Sequence, residues 1–151
     1  MIVRDATVDD LPEYLMLAQA FHAASPMNGV VAFDTDGYSQ FYLSAIVNPS
    51  MGIWITEIDK RPVGIAGALL YPLYFNPSTL VAQELWWWLT LEARGTGAGS
   101  KMFSHIEKWS IENKANAIFM IALEDAKVEK MAKLYKRSGY IPMERTFMKE
   151  V

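Results

Sequence analysis

A strand-like run, a glycine-rich turn and an amphipathic helix follow one another directly between residues 84 and 113. The turn reads Arg-Gly-Thr-Gly-Ala-Gly over residues 94–99. In the helix after it, apolar residues recur on one helical face: Met102, Phe103, Ile106 and Trp109. Glycine lets a ligand approach the backbone, and the first N–H groups of a helix carry a partial positive charge. The stretch therefore predicts a binding site for a phosphate-like anion.

Two well-known phosphate-binding motifs do not fit this turn. A P-loop needs a second glycine five residues after Gly95, where the chain has Ser100. A dinucleotide fingerprint starting at Gly95 and Gly97 also needs its third glycine at Ser100. The pattern that does fit is Arg-x-x-Gly-x-Gly, formed by Arg94, Gly97 and Gly99. The alternative is an ordinary strand-to-helix turn that binds nothing.

Length and composition narrow the class of protein. A chain of 151 residues predicts a single domain over residues 1–151. No apolar run is long enough for a membrane span, and the N-terminal residues do not resemble a signal peptide, so we expect a cytoplasmic protein. The net charge of −3 argues against general nucleic-acid binding. Without cysteine, and with two well-separated histidines, the sequence predicts neither a cysteine nucleophile nor a metal site.

Hydrophobic periodicity predicts an alternation of helices and strands. The expected elements are strand 1–6, helices 7–25 and 34–48, strands 53–58, 63–71 and 80–90, the helix after the glycine turn, strand 117–123, a helix from Asp125 to Gly139, and strands 140–143 and 146–148. The apolar run at 117–123 is typical of a buried strand that is parallel to its neighbour.

This order of elements resembles the GNAT superfamily of N-acetyltransferases over the whole chain. The glycine turn is similar to that family's acetyl-coenzyme A pyrophosphate loop, Gln/Arg-x-x-Gly-x-Gly/Ala. The sequence LYKRSGY at residues 134–140 resembles a second family signature. The resemblance implies an α/β (α+β) fold with a mixed central sheet of about six to seven strands, flanked by four helices and splayed between the fourth and fifth strands.

The resemblance also implies an activity, the transfer of an acetyl group from acetyl-CoA to a primary amine by direct attack in a ternary complex. The apolar loop at residues 27–33 favours a covered pocket, and hence a small-molecule amine. A protein N-terminus or lysine is an alternative acceptor, and a non-catalytic module that binds coenzyme A or a protein is another alternative. We expect no nucleic-acid or membrane partner, and the apolar composition is compatible with a homodimer.

The resemblance to the family implies which residues bind acetyl-CoA. The expected cofactor-binding positions are the main chain of Leu89 and Leu91, followed by Arg94, Gly95, Thr96, Gly97, Ala98, Gly99, Ser100 and Lys101. Two positions depart from the pattern. Leu91 stands where the family often has proline, and Val128 stands where it often has an asparagine that reaches pantetheine.

Three residues are candidates for the chemistry. The N–H of Leu89 would stabilise the oxyanion, and Tyr135 would protonate the departing thiolate, although a core tyrosine is its alternative role. Glu84 is a candidate general base, acting directly or through water, or else a binding group for a cationic substrate. Strand alternation predicts that Glu84 shares a face with Trp86 and Trp88, where an aromatic environment would raise its pKa.

Aromatic residues are candidates for the acceptor site. Trp86 or Trp88 would contact a cationic amine by cation–π attraction, and Phe33 and Tyr71 would line the same slot. The alternative for the tryptophans is ordinary core packing on both faces of a strand.

Overall fold

A mixed sheet covered by helices on both faces forms the centre of the molecule. The computed structural model describes residues 1–125 and 127–151. Within these residues the strands are β1 (Ile2–Asp5), β2 (Met51–Ile58), β3 (Arg61–Leu73), β4 (Asn76–Leu89) and β5 (Ala117–Phe119). They lie in the order β1-β2-β3-β4-β5, antiparallel except for the parallel pair of β4 and β5. The helices are α1 (Leu11–Ala24), α2 (Thr35–Ala45), α3 (Ala98–Glu112) and α4 (Val128–Arg137).

This arrangement confirms the expected mixed sheet and its four helices, and the described residues form five strands rather than the expected six to seven. The proposed strands at 140–143 and 146–148 find no partner among the described strands, and Ile141 and Phe147 are exposed. Pro142 has no N–H to donate to a ladder, and β5 offers an edge of only three residues. The alternating apolar residues at the C-terminus therefore do not pair as strands of the sheet.

The hairpin between β2 and β3 forms where the sequence predicts it. Asp59 and Lys60 have φ values of 52° and 64°, as the central residues of a tight hairpin require. The last helix was expected from Asp125 and begins at Val128, and residue 126 lies outside the described residues. The main-chain N–H of Lys127 donates to Asp125 Oδ1 at 2.7 Å, so Asp125 orders the turn before the helix.

The core has two layers because helices cover both faces of the sheet. α1 and α2 pack on one face, where their side chains meet Ile53, Ile55 and Ile65. α3 packs on the other face through Met102 and Ile106, against a cluster that includes Trp54 of β2. Among the described residues, no helix has both the length and the apolar character needed to cross a lipid bilayer.

An ionic network fixes the start of α1 to the sheet. Arg4 of β1 bonds Asp10 at 2.7 Å and also contacts Glu57 of β2. Asp10 in turn accepts hydrogen bonds from the N–H and hydroxyl of Thr7, at 2.8 and 2.9 Å. The hydrogen bond from Arg4 lowers the pKa of Asp10 to about 2, from a usual value of 3.8. The ionised carboxylate therefore stabilises the folded chain.

Replacing Asp10→Asn should lower the free energy of unfolding at pH 7 by about 1–2 kcal/mol, because a charge-assisted cap and ion pair are weakened. Since the folded pKa lies below the unfolded one, the wild-type advantage is present above pH 3.8 and is lost as pH falls towards 2. Thermal unfolding of both proteins across this range measures the effect. Asp9→Asn, at an exposed neighbouring position, is the control. An equal loss of unfolding free energy in both variants would contradict the stabilising role of the Asp10 carboxylate.

Candidate functional site

The glycine turn lies between the end of β4 and the start of α3, as expected. Gly95 and Gly97 adopt φ values of 84° and 91°, a region that favours glycine. Gly97 is the N-cap of α3 without any side-chain capping bond. Within the described chain, nothing accepts a hydrogen bond from the N–H groups of Gly95, Gly97, Gly99 or Ser100. This cluster of open donors, at the positive end of a 15-residue helix, fits a phosphate group.

Other members of the predicted cofactor set already have hydrogen-bond partners. The Thr96 N–H donates to Ala93 O at 3.4 Å, and the Ala98 N–H donates to the Thr96 hydroxyl at 3.4 Å. Lys101 Nζ donates to Met1 O at 2.8 Å. Leu91 is 74% exposed, and its carbonyl oxygen accepts the Arg94 N–H at 3.3 Å.

Arg94 folds back onto the end of β4. Its Nε donates to Leu89 O at 3.0 Å, and its guanidinium lies 5.6 Å from the ring centroid of Trp88. The guanidinium is thus positioned by a carbonyl and an aromatic face. Its location beside the glycine turn fits the role expected for it.

β4 and β5 separate before β4 ends. Their pairing stops at Gln83 and Phe119, whereas β4 continues to Leu89. The Thr90 N–H donates to Val63 O of β3, at 2.9 Å, so alternation directs the N–H and C=O of Leu89 away from β3. These two groups face the side on which β5 has ended. We call this opening, between residues 84–89 and residues 120–123, the β4–β5 slot.

Glu84 lies at the closed end of this slot. Its Oε2 accepts a hydrogen bond of 2.9 Å from the main-chain N–H of Ile121, just beyond the end of β5. The residue is 2% exposed, and burial raises the pKa of its carboxyl to about 8, although the Ile121 hydrogen bond acts in the opposite direction. The raised pKa agrees with expectation.

The face of Glu84 differs from the prediction. Ala68 pairs with Glu84 and Gly67 pairs with Trp86, so Leu85 is an extra residue in a β-bulge. The bulge reverses the alternation. Glu84 therefore shares the α3 face with Ala68 and not the face of Trp86 and Trp88.

The hydroxyl of Tyr135, on α4, bonds the main chain of the same residue as Glu84, Ile121. It donates to Ile121 O at 2.9 Å and accepts from Trp87 Nε1 at 3.2 Å. Its ring stacks on Phe103 of α3 at 6.0 Å. Burial, and then the Glu84 carboxyl nearby, raise the pKa of Tyr135 above its usual value. The hydroxyl thus stays protonated and is held beside the slot.

The predicted acceptor residues lie on the opposite face of β4. Trp86 and Trp88 pack against the α1 and α2 layer, as does Phe33. Tyr71 donates its hydroxyl proton to Gln83 Oε1 at 2.7 Å, on the same face farther along the sheet. The structure therefore brings Phe33 and Trp86 into one aromatic group, while Tyr71 forms a polar pair with Gln83 farther along the same face.

Sequence reasoning missed several residues of this region. Tyr38 and Phe41 complete the aromatic group, but their spacing on α2 is that of core positions. Trp87 was not distinguished from its neighbours, and only its contact with Tyr135 marks it. The part played by Ile121 depends on main-chain groups, for which a sequence carries no signal.

Comparison with known proteins gives a consistent result. The family model described as the acetyltransferase (GNAT) family matches residues 15–140. No curated protein sequence matches the chain.

Solved structures share the fold at low sequence identity. A predicted acetyltransferase from Clostridium acetobutylicum with acetyl-CoA has a TM-score of 0.77 and 14% identity, over 99% of this chain and 95% of that one. AAC(6')-Iy in complex with the bisubstrate analogue CoA-S-monomethyl-acetylneamine has a TM-score of 0.79 and 13% identity, with coverage of 99% and 97%. The ribosomal-protein-alanine N-acetyltransferase of Brucella melitensis biovar Abortus 2308 has a TM-score of 0.75 and 12% identity, with full coverage of both chains (100% and 100%).

The buried carboxyl of Glu84 should make stability depend on pH. Its folded pKa of about 8 lies above the usual 4.5, so the folded chain binds the extra proton. The contribution of Glu84 to stability is then fully present below pH 4.5 and is lost as pH rises through 8, by an amount on the order of a few kcal/mol.

Glu84→Gln removes this titration, so its melting temperature should change less between pH 5 and pH 9 than that of the wild type. Glu92→Gln, at an exposed position, serves as the control and should follow the wild-type curve. Parallel curves for wild type and Glu84→Gln would contradict the raised pKa.

Proposed function

The chain belongs to the acetyltransferase (GNAT) family, and we propose that it transfers the acetyl group of acetyl-CoA to a primary amine of a small molecule. The observation that carries the proposal is the β4–β5 slot, which opens beside the unpaired N–H groups of the glycine turn and has the Tyr135 hydroxyl at its edge. An anion site, main-chain groups able to pair with an extended arm, and a proton donor thus surround the diverging ends of β4 and β5.

Acetyl-CoA fits the first two of these features. Its pyrophosphate binds the open donors of Gly95, Gly97, Gly99 and Ser100, with the partial charge of α3 behind them. Arg94 begins this turn and Lys101 lies in the first turn of α3, and both contribute positive charge. The amides of the pantetheine arm pair with the main chain of Leu89 and Leu91, as an added strand would.

The reaction is a direct attack in a ternary complex. The neutral amine nitrogen attacks the thioester carbonyl carbon, so that a C–N bond forms and the C–S bond breaks. The amine loses a proton to a base, and the departing sulfur receives a proton from an acid. Between formation of the C–N bond and cleavage of the C–S bond, the former carbonyl oxygen carries a negative charge. The N–H of Leu89, directed into the slot, stabilises this charge.

Tyr135 is the proposed acid. Its raised pKa keeps the proton on the hydroxyl at neutral pH, and its bond to Ile121 O orients the group towards the slot. Trp87 Nε1 donates to the same oxygen and stabilises the negative charge that develops when the proton leaves.

Tyr135→Phe should lower kcat by about a hundredfold, because general acid catalysis typically contributes at least that much. The KM for acetyl-CoA should change little, since the glycine turn is intact. Thiol release measured with a panel of amines tests this. Tyr140→Phe is the matched control, because Tyr140 belongs to the same ring cluster, 5.8 Å from Tyr135, and its hydroxyl bonds Glu107 instead. Equal rates for wild type and Tyr135→Phe would contradict the proposal that Tyr135 is the acid.

Glu84 is the proposed proton acceptor, acting through water across the slot. A carboxyl with a pKa of about 8 is ionised in part at neutral pH and is basic enough to accept a proton from an amine. The bulge at Leu85 directs it away from the aromatic face, which favours a relay through water over direct contact with the acceptor.

A pair of variants separates this chemical role from the hydrogen bond to Ile121. Glu84→Gln keeps an oxygen that accepts from the Ile121 N–H but cannot take up a proton, whereas Glu84→Ala loses both functions. We expect both variants to lower kcat/KM by about a hundredfold. The amine substrate titrates in the same way in both assays, so its titration cancels in the ratio of wild-type to variant rates. As pH rises, this ratio should increase with an apparent pKa near 8. Full activity in Glu84→Gln with loss in Glu84→Ala would show that Glu84 only positions the peptide.

A further inference from the structure

The side chains on the face of β4 that packs against α1 and α2 indicate which kind of amine would bind. We propose that the acceptor is a small amine with a single cationic group and an uncharged aromatic body, bound by an aromatic wall of four side chains: Phe33, Tyr38, Phe41 and Trp86. This inference rests on the proposed transferase function and adds a substrate class to it.

The aromatic wall is a continuous series of edge and tilted ring contacts. Phe33 lies 5.2 Å from Tyr38, and Phe41 lies 5.8 Å from both Tyr38 and Trp86, measured between ring centroids. Trp86 meets Tyr38 edge-on at 6.5 Å. Phe41 is 37% exposed, so the wall is open to solvent on one side. Rings in edge-to-face contact leave faces free that can pack on a further ring.

Exposed apolar side chains continue this surface on the connection between α1 and α2. Met27, Val30 and Val31 are 47%, 37% and 53% exposed, respectively. His22 Nε2 lies 2.7 Å from Val31 O, and its ring contacts Phe33 at 5.6 Å, so the connection is held against α1. The connection is therefore held in place beside Phe33 and presents apolar side chains to solvent there.

Trp86 is fixed in position before any ligand binds. Its Nε1 donates to the Tyr14 hydroxyl at 3.0 Å, and that hydroxyl donates to Ala66 O at 3.0 Å. The ring lies across Gly67 of β3, where an added Cβ would come within 2.3 Å of it. A rigid ring loses little conformational entropy when a ligand packs on it, and this favours binding.

The aromatic wall itself offers no carboxylate to a polycationic acceptor, and the acidic residues beside it in sequence, Asp34 and Asp36, lie exposed at the start of α2. Its four members are uncharged, and the one carboxylate of β4, Glu84, is turned to the opposite face by the bulge. The neighbouring Asp34 carboxylate is exposed and accepts the Gly37 N–H at 3.0 Å as the cap of α2. Aromatic faces attract one ammonium group, but several cations without carboxylate partners would lose hydration without compensation.

Initial rates of thiol release from acetyl-CoA with matched amines test the substrate class. We expect kcat/KM to be highest for 2-phenylethylamine and tryptamine, at least tenfold lower for n-butylamine, and lower still for spermidine and kanamycin. Preference for spermidine or kanamycin would overturn the inference. A peptide with an N-terminal phenylalanine, if preferred over 2-phenylethylamine, would overturn the small-molecule part of it.

Phe41→Ala links the specificity to the aromatic wall. The variant should raise the KM for 2-phenylethylamine by about tenfold while changing the KM for acetyl-CoA little, and Phe41→Leu should restore part of the affinity. Leu43→Ala, on the same helix and at 40% exposure, is the control. An equal effect of Phe41→Ala on 2-phenylethylamine and n-butylamine would contradict the assignment.

Calorimetric titration of 2-phenylethylamine into wild type and Phe41→Ala tests binding at the aromatic wall independently of transferase activity. Absence of turnover with every amine would contradict the transferase, yet binding weakened by Phe41→Ala would still support the aromatic wall as the site. Absence of binding to the wild type, with acetyl-CoA present, would overturn the wall as an amine site even if other amines were acetylated.

Discussion

The main-chain N–H and C=O of Ile121 are held by two side chains at the place where the sheet divides. In a continuous parallel ladder, these two groups would pair with β4, and buried main-chain groups without partners are strongly unfavourable. Here Glu84 accepts from the N–H and Tyr135 donates to the C=O. The two side chains replace the ladder, so β4 and β5 diverge without leaving these groups unpaired. The β4–β5 slot depends on this replacement, and both side chains proposed for proton transfer also perform it.

A single bulge residue determines which groups meet on each face of β4. Leu85 shifts the register, which places Glu84 and Trp87 near α3 and α4 and leaves Trp86 and Trp88 with α1 and α2. The proposed acid and base and the aromatic wall thereby lie on opposite faces of the sheet. An amine bound on one face and a thioester that enters beside α3 would meet at the β4–β5 slot.

The sequence was sufficient for features that repeat or that depend on backbone freedom. The order of helices and strands follows from periodicity, and the positive φ values at Gly95 and Gly97 follow from the requirement for a sharp turn into α3. The direction of the pKa shift of Glu84 was also predicted, but from an aromatic face shared with Trp86 and Trp88; in the structure the cause is burial on the α3 face.

Features that depend on a partner elsewhere in the chain were not predictable. Alternation assumes an unbroken ladder, so a bulge at Leu85 placed Glu84 on the opposite face from the expected one. The apolar residues after Gly139 had the pattern of strands but no long edge to join. Tyr38 and Phe41 have core spacing, and only their contacts with Trp86 reveal the aromatic wall.

Hydrogen–deuterium exchange with and without acetyl-CoA tests the central claim, that the glycine turn and the β4–β5 slot form one binding site. Amides of residues 95–100 that have no acceptor in the described chain should exchange fast in the free protein. Acetyl-CoA should slow their exchange by at least about tenfold, together with that of residues 89–91, while the α1 layer stays unchanged. Binding of acetyl-CoA without protection of either segment would contradict the site and the mechanism built on it.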